Sequence, residues 1–365
     1  MLPTAPAYLY QFVKVISKGG LHERLSGLHV ARGNARLPGL HVARGDARLP
    51  GLCSNGLHLR GKQVTATIPK LVLDKMAIRA RRMHNYLWHE VRDNWLTYPK
   101  DVREKLREAG WEPPRPAQNE TGDPLLTNES GEDFLYMHRQ TLQYANKILA
   151  GAGDPHQPRI EGWVEIPSPD DPDFPVPASW FDPAEFPVIT RFTMRSKTDL
   201  TYEKYLKPWE SMLMDPGFLK DISLGMLGAL IHSTVHDTVR HRCAAVPGGR
   251  RPEPGIDGDT IPDAWDDPRY DYLGDTYSMQ VNPVYWKLCG WIDERIYNWQ
   301  VSHCLFGSDF WKGKWMGKIP DAEAGAPAGL HERLEDPKVA NHHTAETEQI
   351  LLTIGRSVAA GGAPS

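Results

Sequence analysis

Cysteine is scarce in this chain: Cys53, Cys243, Cys289 and Cys304 are the four among 365 residues, and no two stand at CxxC spacing. A dense disulfide framework is thereby excluded, and free thiols in a reducing compartment are expected. Long apolar runs are also missing, since nothing approaches the ~20 residues needed to span a bilayer. The opening MLPTAPAYLYQFVKVISKGG has no charged segment ahead of an apolar core and no small-residue cleavage site, so it does not read as a signal peptide. Nor is there an excess of positive charge. A net charge of -4 excludes nucleic acid as the main partner, because phosphate binding needs concentrated Lys and Arg. A cytoplasmic protein with no membrane partner is expected.

What is present is 12 Trp and 31 Pro. The first points to large buried contacts or a site wall, the second to long ordered irregular loops. The chain divides into three parts. Residues 1–65 contain GLHVARGNARLP followed by GLHVARGDARLP, a tandem repeat with one difference, and read as a low-complexity, disordered basic region. Residues 66–312 form a helical domain. Residues 313–365 read as a linker and tail with one short helix at TAETEQILLTIGRSV.

Within the helical domain, PKLVLDKMAIRARRMHNYLWHEVRDNWLTYP predicts a helix ending near Pro99, with His84, Leu87, Trp88 and Val91 on one apolar stripe. His89 falls about 140° round the helix from it. EDFLYMHRQTLQYANKILAG predicts a helix that turns His138 inward, with Arg139 beside that face. A Pro- and Asp-rich stretch from Gly153 to Pro187 has no helical period and reads as an ordered wrapping loop or lid. GFLKDISLGMLGALIHSTVHDTVRHRC places His232 and His236 on the apolar stripe of one helix, where two imidazoles four residues apart can converge on one ion. In VYWKLCGWIDERIYNWQ the stripe Tyr285, Cys289, Ile292, Ile296 and Trp299 points Cys289 inward.

Several helices thus present inward histidines, as in bundles whose core holds a metal pair. Imidazole suits copper, zinc and iron alike. Three segments carry a resemblance. FLYMHRQTLQ resembles the "FLpwHR" segment of the first copper site in the type 3 copper superfamily of tyrosinases, catechol oxidases and haemocyanins. HSTVHD resembles the HxxxH-Asn/Asp segment of the second site, and NPVYWKLCGWIDERIYNWQ resembles the "DPvFwlHHaxxDRlwxxWq" signature. HNYLWHEVRDNWL and the Pro-rich loop look most like a divergent bacterial branch that includes the pyoverdine-maturation tyrosinases.

The resemblance covers about Ile68 to Phe310. It implies a mainly α fold with a four-helix core of tyrosinase type and wrapping loops. The core would hold copper that activates dioxygen against the phenolic group of a small molecule or peptide. Carried across, the metal ligands are His138 at the first site, with His84 or His89, and His232 and His236 at the second. Asp237 is the catalytic carboxylate that orients a water or takes the phenol proton. Asn282, Asp293 and Arg295 fix the last helix.

Two positions depart from the pattern. Cys289 stands where the family has a third second-site histidine, and Glu129 where it has the middle first-site histidine. A thiolate favours Cu(I) and is itself oxidisable, so Cys289 is a poor substitute ligand. His303, fourteen residues further on, would lie about 21 Å away along one helix and cannot replace it. Two expectations follow. One is a copper oxidoreductase with an altered ligand set. The other is a tyrosinase-like protein impaired in that chemistry, acting as a binding or accessory protein or holding a single metal.

Overall fold

The computed structural model describes residues 68–178, 187–245, 261, 263–307, 309–321, 325, 327 and 329–361. The fold is mainly α, and the only β feature among these residues is an isolated bridge between Gln118 and Pro124. The region 1–65 lies outside the described residues, tandem repeat included.

The first long predicted helix is broken once. α1 (Lys70–Met76) ends at Ala77, and α2 (Arg79–Asn94) starts after Ile78, whose extended backbone (ψ 138°) cannot continue a helix. α2 is buried nearly all round, with Arg81, His84, Leu87, Trp88, His89, Arg92 and Asp93 all inside. α3 (Lys100–Glu108) follows Pro99, and α4 (Gly131–Ala152) carries acids in its first turn and ends on Gly153 at φ 68°, a left-handed stop suited to glycine.

The described part of the Pro-rich stretch is irregular, as expected, and is pinned to the helices. The Trp163 amide donates to Lys287 O at 3.2 Å and the Ile166 amide to Glu210 Oε1 at 2.5 Å. α5 (Pro187–Ser196) leads to a π-helical turn, Tyr202–Leu206, that runs into α6 (Lys207–Met214). After α7 (Pro216–Asp221) comes α8 (Leu224–Ile231), capped by the Ser223 hydroxyl. It passes through a second π-helical turn, His232–His236, into α9 (Asp237–Cys243).

α10 (Pro283–Ser302) is formed by the segment PVYWKLCGWIDERIYNWQVS. Asn282 caps it by accepting from the Val284 amide at 2.8 Å, and Pro283 occupies its first turn. Arg139 of α4 donates to Asp293 Oδ1 at 2.5 Å and to Gln300 Oε1 at 3.1 Å, which fastens α4 to α10.

α4 and α8 cross at backbone contact. A methyl group on Gly131 would overlap the backbone of Gly225, Gly228 and Ala229, so only glycine fits there. Gly162 and Gly290 meet in the same way where the wrapping loop crosses α10.

The segment expected to be a linker and tail is instead part of the core. α11 (Leu330–Arg333) and α12 (Pro337–Gly361) bury Leu330, Leu334, Ala340 and Ile354 in the main apolar cluster, together with Met316. The Pro, Gly and Ala between Ile319 and Gly329 concealed this, because turn-rich sequence looks the same whether its flanks pack or not. None of the helices among the described residues is long and apolar enough to cross a membrane.

Candidate metal centre

α2 and the α8–α9 helix supply five polar side chains to two buried triads that share His232. His89 and Asp93 are four residues apart, hence on one face of α2, with Nδ1 and Oδ2 3.8 Å apart. From the other helix, His232 Nε2 lies 3.8 Å from Asp93 Oδ2 and 3.9 Å from Asp237 Oδ2. His236 Nδ1 is 3.2 Å from Asp237 Oδ1. One ligand atom each from His89, Asp93 and His232 falls within 4.8 Å of the others, and the same holds for His232, His236 and Asp237. All five residues are buried.

Their protonation states are set by burial and by one another. Desolvation brings His89 down to about 4, with Arg240 and His232 adding to it, and brings His236 down to about 3. His232 is lowered by the same cause. Burial resists ionisation of Asp93 and Asp237, but His232 and the other positive or polarised neighbours outweigh it, so both carboxyls lie below their usual range. At neutral pH the centre therefore holds neutral imidazoles and ionised carboxylates, the forms that bind a metal ion.

Four of these atoms lack any hydrogen-bond partner among the described residues: His89 Nδ1, His232 Nε2, His236 Nε2 and Asp93 Oδ2. Buried polar atoms are normally paired, and leaving several unpaired at one place is costly. A cation between His89, Asp93 and His232 would satisfy three of them, His89 Nδ1, His232 Nε2 and Asp93 Oδ2. Donors sharing one ion at about 2.1 Å sit about 3.0–3.5 Å apart, so the 3.8–3.9 Å separations close with small side-chain rotations. Two imidazoles with a carboxylate, the composition of each triad, suit copper, zinc or iron, and the residues fit a metal on these grounds.

Of the expected ligands, His89, His232 and His236 come together, with ring centroids 5.7–6.5 Å apart. His138 adjoins them, edge-on to His236 at 5.0 Å, but its Nδ1 faces Cys289 Sγ at 3.2 Å. The Phe134 ring lies against all three of His138, His232 and His236, at 4.5, 4.8 and 5.0 Å. Burial pushes the Cys289 thiol well up, against the opposing hydrogen bond from Tyr285, so it is held protonated and not as the thiolate a metal requires.

His84 does not join the centre. Its Nδ1 pairs with His343 Nε2 at 2.8 Å and its Nε2 with Met316 O at 2.6 Å, so both ring nitrogens are taken. Glu129, at the expected middle-histidine position, accepts from the Ser223 hydroxyl (2.8 Å) and the Gly225 amide (3.1 Å), and so ties down the start of α8. His303 stacks on Trp299 and bonds Leu219 O, remote from the centre in sequence and in partners.

Neither a family model nor a curated protein matches this chain.

Three of its residues are missed by the motif reading. Asp93 carries a signal in hindsight, four residues after His89 on the same helix. Arg92 donates to Asp93 Oδ1 at 2.8 Å and Arg240 approaches Asp237 Oδ1 at 3.5 Å, one arginine beside each carboxylate. Arginine in an amphipathic pattern reads as solvated surface, so nothing in the sequence marks these two as buried.

Proposed function

We propose that the protein is a metal-dependent oxidoreductase of tyrosinase-like type, acting on a phenolic group of a small metabolite or peptide. The observation that carries this reading is the approach of His89, with a partnerless nitrogen, to His232 and His236 on the helix whose HSTVHD segment resembles the second copper site. Copper bound there would supply one-electron chemistry toward dioxygen. His89, His232, His236 and Asp93 would hold it, and the Phe134 ring packs against His138 and His232 on that side. Asp237 touches His236 Nδ1 and stays ionised far into acid, so it is a weak proton acceptor and a good orienter of that imidazole. We assign it the orienting role, in place of removing the phenol proton.

A second reading is favoured by one observation: the residues supply one complete donor set, while His138 faces a protonated thiol. On that reading the protein holds a single metal and serves a binding or accessory role. Loading with Cu(I), exposure to oxygen and metal analysis separate the two. Bound copper with quinone formation from a diphenol supports the oxidoreductase; bound copper with no oxidation supports the accessory reading; no copper retained overturns both. Cys289→His adds an imidazole beside His138, and its expected effect is a gain in phenol oxidation.

A further inference from the structure

Arg240 has more binding capacity than its surroundings use. It is fully buried, and its Nε donates to Leu273 O at 3.1 Å. Its Nη1 stands 3.5 Å from Asp237 Oδ1, longer than a normal N–H···O bond, and neither Nη1 nor Nη2 has a hydrogen-bond partner among the described residues. Arg92 and Arg242, also buried, are better served. Arg92 donates to Asp93 and to Ser130 O, and Arg242 donates to Ser196 O and Thr198 O; Arg295 also has partnerless nitrogens, but its guanidinium lies over the Trp291 ring.

The end of Arg240 faces the centre: its charge disfavours protonation of His89, His138, His232 and His236 alike. Charge counting points the same way. Arg92 and Arg240 balance Asp93 and Asp237, so a divalent ion at the centre leaves two positive charges buried without a counterion. A guanidinium with two free outer nitrogens is shaped for a planar anion with two oxygens.

We propose that Arg240 anchors an anion subsite at the centre, taking a carboxylate whose two oxygens accept from Nη1 and Nη2. The inference rests in part on the metal reading, since a bound ion tightens the anion, but the guanidinium alone sets the site. The carboxylate is either a free small anion or the acid group of a phenolic substrate.

The test uses the full chain, metal-free and zinc-loaded, titrated with sodium formate and with para-hydroxybenzoate against matched sodium chloride. Thermal midpoint and calorimetric binding are the readouts. Formate is expected to raise the midpoint of both forms and to bind more tightly to the zinc form. A response to formate alone assigns a free small anion; a response to both assigns the acid group of a phenolic ligand. Arg240→Lys keeps the charge and loses the fork, and is expected to weaken formate by about tenfold to a hundredfold. A purely structural role would leave that affinity unchanged, which overturns the proposal. If the variant does not fold, the wild-type titration still decides: no response to either anion up to about 100 mM, well above a useful affinity, overturns it. Zinc uptake without a formate response overturns the subsite alone, and a formate response without zinc uptake overturns the metal reading alone.

Discussion

Two groups of buried histidines lie about 140° apart around α2. His84, with His343 of α12, belongs to the seam where the C-terminal helices pack; His89, with His232 and His236, belongs to the centre. Both groups are desolvated, and in both the imidazoles are held neutral. They differ in partners. Each nitrogen of His84 has a hydrogen bond of 2.6–2.8 Å, whereas the centre turns partnerless nitrogens toward two ionised carboxylates. Burial, helix and residue type are the same, so what separates a structural histidine from a candidate ligand is the account of its hydrogen bonds.

The strongest way to break this comparison is to remove one member from each group. His232→Ala is expected to lower metal affinity by more than about a hundredfold, beyond the loss typical of a residue that merely supports a ligand, with little metal retained after dialysis. His84→Ala is expected to leave metal content unchanged and to cost about 3 kcal/mol of stability in urea titration. It opens a cavity and leaves His343 Nε2 and Met316 O unpaired. Loss of metal in the second variant would erase the distinction.

Acid tests both groups together in the metal-free protein. His343 and His89 sit at about 4 and His331 and His236 at about 3, all below the ordinary histidine value of about 6.5. Between about pH 6.5 and pH 4 the unfolded chain binds more protons than the folded one, so stability falls as pH falls through that window. Glu90, raised to about 7, and Asp271, raised to about 6, act in the opposite sense but are fewer. Urea midpoints across this range are expected to drop toward acid, and His343→Asn to flatten the slope.

The smallest effect is expected at Glu129. Replacing it with Gln removes the charge at the start of α8 and costs about 1 kcal/mol, with metal content unchanged. A drop in bound metal would return Glu129 to the ligand set.

The helical character of the fold and the bounds of α10 were legible because Asn282, Pro283 and the apolar spacing act locally. His232 and His236 were legible for the same reason. The apolar stripe of α2 took in His84 and left His89 outside it, so helical phase could not choose between the two. α2 is packed on nearly every side, so its polar face is also interior. Asp93, Arg92 and Arg240 were hidden because a charge buried by partners distant in sequence is indistinguishable, along the chain, from one in water. The packing of α11 and α12 was hidden by the turn-rich residues before them.

The π-helical turn at His232–His236 makes the centre unusually sensitive to length. Such a turn accommodates one residue more than an α-helix would over the same stretch. Deleting a single residue there would restore regular winding with α8 and α9 left in register, so the change would fall on the turn itself, where one helical step is about 100°. His232 and His236 would lose their relative orientation at the centre, while the hydrophobic content of the helix would hardly change. In evolutionary terms the site can be switched off, or opened to a different partner, by a change of one codon triplet that the fold itself would tolerate.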